Sequence, residues 1–147
     1  MSNERLGVTL DEDYAAAIGR TTYVFAYLEW QAVWCAERLQ PGFLADLGTK
    51  TAGQIGAAFE QLVLEMTDET LKAQMLPLAR EFRTLVRDRN SLLHGKPGTV
   101  SESGRQRLFR DGSPWEIADL ETVADRFASC SAGLNRIFYG TLQARTS

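Results

Sequence analysis

The chain has 147 residues and a formal net charge of -3, with 24% charged against 44% hydrophobic residues, the proportions of a globular protein with its own core. That length leaves no room for two ordinary domains, so one domain over residues 1–147 is expected. No run of about 18 apolar residues occurs, which excludes a membrane-spanning helix. The opening MSNERLGVTLDED lacks the basic-then-apolar order of a secretory leader, so a cytoplasmic setting is expected.

Thr9-Leu10-Asp11-Glu12 has the form of a capping box and predicts a long first helix to about Arg38, closed by Gln40-Pro41-Gly42. Ile18, Thr21, Phe25, Leu28, Ala32, Cys35 and Leu39 recur at spacings of three and four. Tyr23, Tyr27, Trp30 and Trp34 crowd another face. A helix apolar on nearly all sides is either central or covered by a partner chain, so a homodimer is expected. Glu29 is the only acid between Asp13 and Glu37.

Thr51-Ala52-Gly53-Gln54, a second capping box, opens a shorter helix through Ile55, Phe59, Leu62, Val63 and Met66. Thr67-Asp68-Glu69 starts a third, carrying Leu71, Met75, Leu78, Phe82, Leu85, Val86, Leu92 and Leu93. Pro77 inside it predicts a kink or a split near residue 75. Gly95-Lys96-Pro97-Gly98 ends it. Residues 99–113 break the helical rhythm, and Asp111-Gly112 is a turn signal. Over 108–118 two readings stay open: a hairpin reaching Trp115-Glu116-Ile117, or a helix capped directly by Ser113-Pro114-Trp115-Glu116. A last helix from about Leu120 to Leu142 follows. The fold class expected is all-α, a four-to-five-helix up-and-down bundle with an irregular or hairpin insertion at about 97–117 before the last helix.

Cys35 and Cys130 sit in separate apolar stretches without ligand-like neighbours, and a single histidine does not complete a zinc site. Buried, reduced thiols, no metal and no cofactor are expected. From Arg80 to Arg110 eight basic residues stand against three acids, a local +5 that leaves -8 for the remainder. A local positive field of that kind suits a phosphate-bearing ligand, although a charge run also arises on any solvated helix face.

The positive window contains Arg89-Asn90-Ser91-Leu92-Leu93-His94, with the chain's only histidine. On a helical wheel Phe82, Leu85, Val86, Leu92 and Leu93 share the inward face, and Arg89 falls in the middle of that stripe. An unpaired guanidinium there costs several kcal/mol, so it needs a partner or a wet pocket. Glu29 is the candidate acid for a structural pair. Arg83, Arg87, Asn90 and His94 line an adjacent face at spacings of four, three and four. At the helix's last turn His94 also has a structural alternative, bonding free carbonyls.

Arg, a polar residue, and a histidine five positions after the Arg resemble the signature of the HEPN superfamily (higher eukaryotes and prokaryotes nucleotide-binding). That signature is Arg, four to six residues, then His, with Asn, His or Asp often following the Arg. The resemblance covers about ten residues in detail, and element order extends it loosely over most of the chain. It implies a HEPN-like helical bundle and a metal-independent endoribonuclease, a toxin or phage-defence component, or else a noncatalytic dimeric module binding RNA, a nucleotide or another protein. Two copies of the motif then form a composite site. Arg89 is assigned to the scissile phosphate, His94 to proton transfer at the ribose 2′-hydroxyl or leaving oxygen, and Asn90 to the hydrogen-bond geometry. Arg83, Arg87, Lys96, Arg105, Arg107 and Arg110 are the candidates to follow an RNA backbone. An antitoxin protein is the other partner implied.

Overall fold

Helix α1 (Glu12–Leu39) starts from Asp11, which adopts the extended N-cap conformation but makes no side-chain cap bond. The expected Thr9 box therefore does not form, and the helix opens on its own acids, Glu12 and Asp13, against the positive end of the dipole. The computed structural model describes residues 4–143 of the chain. The predicted stripe is inward: Thr21, Phe25, Leu28, Ala32 and Cys35 are buried. Beyond Gly42, residues Phe43–Thr49 form a 3-10 segment whose first amides are held by Glu37. It buries Phe43 against the bundle.

Helix α2 (Ala52–Leu64) carries the predicted capping box. Thr51 Oγ1 accepts from the Gln54 amide at 3.2 Å, and Gln54 Oε1 accepts from the Thr51 amide at 2.9 Å. Helix α3 (Glu69–Leu93) is capped by Asp68 and runs through Pro77 without a break. The loss of one amide donor at Pro77 is outvoted by burial of Met75, Ala79 and Phe82 on either side. Leu93, expected inward, is 50% exposed, because it is the last residue of the helix and the chain turns away there.

Three strands follow: β1 (Lys96–Thr99), β2 (Gln106–Arg110) and β3 (Ser113–Pro114), in the antiparallel order β1-β2-β3. Asp111 and Gly112 both have positive φ, 47° and 80°, as a two-residue hairpin turn requires. Of the two open readings of 108–118 the hairpin is the one observed: Ser113 and Pro114 form β3, so Ser113 does not cap a helix directly. The hairpin forms, and Glu116 then caps helix α4 (Ile117–Ile137) in a box with Asp119. A π-helical turn, Phe138–Leu142, continues α4. The molecule is thus mostly helical but not all-α, since the insertion is a small sheet.

The four α-helices alone do not follow up-and-down order. Tyr14 meets Trp115, Thr21 meets Leu120 and Cys35 meets Leu134, numbers rising together, so α1 and α4 run parallel. Leu78 meets Cys130 and Asp88 meets Arg126, so α3 is antiparallel to α4. A strict up-and-down chain opposes its first and fourth helices. Here the stretch 40–51 carries the chain back along α1 before α2 starts. The core lies among the four helices, around Phe25, Phe59, Phe82, Phe127 and Leu134.

One cluster docks the sheet onto the bundle. The Tyr14 hydroxyl donates to the Trp115 carbonyl (2.7 Å) and accepts from the Leu108 amide (3.1 Å). Arg107 lies over the Tyr14 ring at 4.3 Å, and its Nε donates to Glu116 at 3.1 Å. Its Nη1 reaches Asp11 at 3.5 Å. Burial pushes the Tyr14 phenol above its ordinary pKa, partly offset by the Leu108 bond and the Arg107 charge.

Candidate functional site

Helix α3 ends at His94, whose amide is bonded to the carbonyls of Asn90 and Leu92. Gly95 then lets β2 close over the helix end. A Cβ there would lie 3.0 Å from both the Leu108 Cβ and the Leu92 carbonyl oxygen. The backbone thus turns straight from helix into β1, and the Asp-Gly turn brings β2 and β3 back to the same place. Between them lies a cleft of about 450 Å³, lined by Ser91 and His94 from α3, Lys96 from β1, and Phe109, Arg110, Asp111 and Gly112. Its size suits a small ligand or a nucleotide unit, for which about 300–1,000 Å³ is usual.

His94 is exposed in this cleft. The Arg110 guanidinium stacks on Trp115, 3.6 Å from the ring centre. Stacking holds the guanidinium plane and leaves its N–H edges for an anion. Lys96 adds a second positive charge, and Asp111 partly offsets the pair. An imidazole beside two cations can bind a phosphate and move a proton next to it.

Arg89 is placed differently. Its guanidinium lies over the Phe25 ring at 4.8 Å, and its Nε is buried without a hydrogen-bond partner. A buried donor left unbonded costs about 1–3 kcal/mol. Glu29 is half-buried on α1; burial raises its carboxyl above the usual 4.5, and the Arg89 charge pulls the other way. Among the described residues no ion pair joins the two, so Glu29 acts on Arg89 through longer-range charge alone. Asn90 is half-buried on α3 and does not line the cleft.

The remaining arginines divide. Arg83 pairs with Glu60 of α2 at 3.0 Å, with Arg80 joining at 3.7 Å. Arg107 is 4% exposed and committed to Asp11, Glu116 and Tyr14, and it lies outside the His94 cleft. Arg87 and Arg105 are exposed but lie outside the cleft lining. Of the predicted residues, the structure therefore brings together His94, Lys96 and Arg110, and sets Arg89 behind them facing α1.

Sequence reasoning missed Ser91 and Asp111. Ser91 precedes His94 by three, a spacing that places both on one helix face and was readable. Asp111 showed only as a turn residue, because its approach to the helix end is a tertiary fact. Arg126, which ties α4 to Glu81 and Asp88 of α3 at 3.2 and 3.1 Å, also went unread. Burial pushes both thiols, Cys35 and Cys130, up to about 12. Among the described residues, no group of three or more His, Cys, Asp or Glu side chains could hold a metal ion. None of their helices is long and apolar enough to cross a membrane.

Comparison with family models, curated proteins and solved structures finds no match.

Proposed function

We propose that the chain is a metal-independent endoribonuclease of the HEPN kind, acting as a toxin or phage-defence component in the cytoplasm. The observation that carries this reading is the exposed His94 between Lys96 and Arg110 at one cleft. RNA carries its own nucleophile, so a base, an acid and phosphate-binding cations suffice. His94 takes the proton from the ribose 2′-hydroxyl as that oxygen attacks phosphorus. Lys96 and Arg110 neutralise the nonbridging oxygens as negative charge builds on them. The P–O bond to the 5′-oxygen breaks, and that oxygen leaves with a proton from the histidine of a second copy. The products are a 2′,3′-cyclic phosphate and a 5′-hydroxyl. Arg89, assigned to the phosphate by resemblance, has to leave Phe25 to reach it.

His94→Ala is expected to lower RNA cleavage, measured with chelator present, by about 100-fold or more, the usual share of a general acid or base. Its thermal melting should match the parent, since the side chain is exposed. Cleavage and growth inhibition that persist in the folded variant reject the reading.

One observation favours a second reading, a noncatalytic HEPN-like module that binds RNA, a nucleotide or an antitoxin protein. Arg89 faces Phe25 and Glu29 rather than the cleft. Under that reading the parent protein leaves RNA intact, and titrated oligonucleotide binding is lost on Lys96→Ala with Arg110→Ala.

A further inference from the structure

Not every group in the His94 cleft suits a phosphate. His94, Lys96 and Arg110 do, but β2 and its turn also bring in Phe109, the Asp111 carboxylate and Gly112. A carboxylate repels a phosphate, so Asp111 needs another account. The fold does not ask for its charge. Asp111 and Gly112, at φ 47° and 80°, form a hairpin turn that asparagine followed by glycine fills equally well. Among the described residues no ion pair or hydrogen bond holds the Asp111 side chain, and the Gly112 amide donates to no carbonyl. Phe109 is half-buried, with its ring seated against Gly98, where a Cβ would come within 2.9 Å of it.

We propose that this side of the cleft reads a guanine base, so that RNA is cut on the 3′ side of guanosine; the cut itself rests on the ribonuclease reading above. Guanine is the base whose pairing edge sets one acceptor, O6, beside two adjacent donors, the N1 hydrogen and the N2 amino group. A carboxylate has two acceptor oxygens and no donor, and so takes both of those donors at once. The neighbouring Gly112 amide, unspent on the fold, takes O6. Adenine reverses the pattern: its amino group meets the amide and its N1 lone pair meets the carboxylate. Cytosine fails in the same way, and uracil offers a single donor between two carbonyls. A site built to hydrogen-bond one base rejects the others because its polar groups are then left unpaired. Phe109 supplies an aromatic surface for stacking, which adds affinity without choosing among bases.

Equilibrium binding of the four nucleoside 3′-monophosphates to the full chain, with chelator present, tests this. Guanosine 3′-monophosphate is expected to bind on the order of tenfold or more tighter than each of the other three. Asp111→Asn should level the four, because asparagine keeps the turn and replaces one acceptor oxygen with a donor. Its melting should match the parent, which separates lost recognition from lost structure. Phe109→Leu should weaken all four alike. His94→Ala should keep the guanine preference. A parent that prefers guanosine yet leaves RNA uncut therefore sinks the ribonuclease reading and upholds the base site. RNA cut after every nucleoside alike, with equal affinity for the four monophosphates, does the reverse. A preference that survives Asp111→Asn, or no binding of guanosine 3′-monophosphate at millimolar concentration, also overturns the proposal.

Discussion

Two arginines turn inward in this molecule, and they are satisfied very differently. Arg107, on β2, is 4% exposed and held on several sides: an aromatic ring above it, two carboxylates, and the Gln106 carbonyl at 2.9 Å. Arg89, on α3, has a ring beneath it, a distant carboxylate and a buried Nε with no partner. A guanidinium tied on several sides is a fastener, and its removal opens the joint. One with a donor left over contributes less to the fold and keeps capacity for something else, a ligand or a rearrangement.

That contrast breaks most readily at the fastener. Arg107→Ala should cost about 2–3 kcal/mol in denaturant unfolding, through lost packing on Tyr14 and lost ties to Asp11 and Glu116. A loss below about 0.5 kcal/mol, the range of ordinary surface changes, would erase the distinction. Arg89→Met sharpens it from the other side. Methionine keeps the contact with Phe25 and removes the orphaned donor, so stability should change by less than about 1 kcal/mol, or rise. A large loss by the same denaturant assay would reveal a partner for Arg89 in solution.

The smallest effect is a matter of pH. Glu29 is held above its usual 4.5 chiefly by burial, so folding favours its neutral form. Its contribution is therefore fully present below 4.5 and is lost as pH rises through the higher folded value. Glu29→Gln should remove that component and flatten the stability profile upward of 4.5 relative to the parent. Identical slopes for parent and variant in melts across that range would refute a burial-dominated Glu29.

Much of the helical framework was legible because it is written locally. The Thr51–Gln54 box, the Asp68 cap, the stripe from Thr21 to Cys35 and the Asp111-Gly112 turn each lie within a few residues of what they control. The parallel course of α1 and α4 was not legible, because it depends on where the stretch 40–51 travels. At the site the same divide holds. The position of His94 at a helix end follows from Gly95 and Pro97 nearby, but its cleft is completed by β2 and the following turn. Arg107 read as a ligand-facing cation because its four-residue neighbourhood gives no sign of Tyr14, 93 positions earlier. Likewise Glu60, which claims Arg83, lies 23 positions away on another helix.

The Tyr14 hydroxyl joins α1 to a carbonyl 101 positions later, and α1 makes its main packing with α4. During synthesis, the first helix therefore emerges long before the surface it will rest on. Until the last helix clears the ribosome, Phe25, Leu28 and Cys35 have only α2 and α3 to cover them. Long-range closure of this kind slows folding and leaves an aromatic-rich nascent segment open to chaperones and to misassociation. The order of manufacture and the order of packing run against each other in this chain.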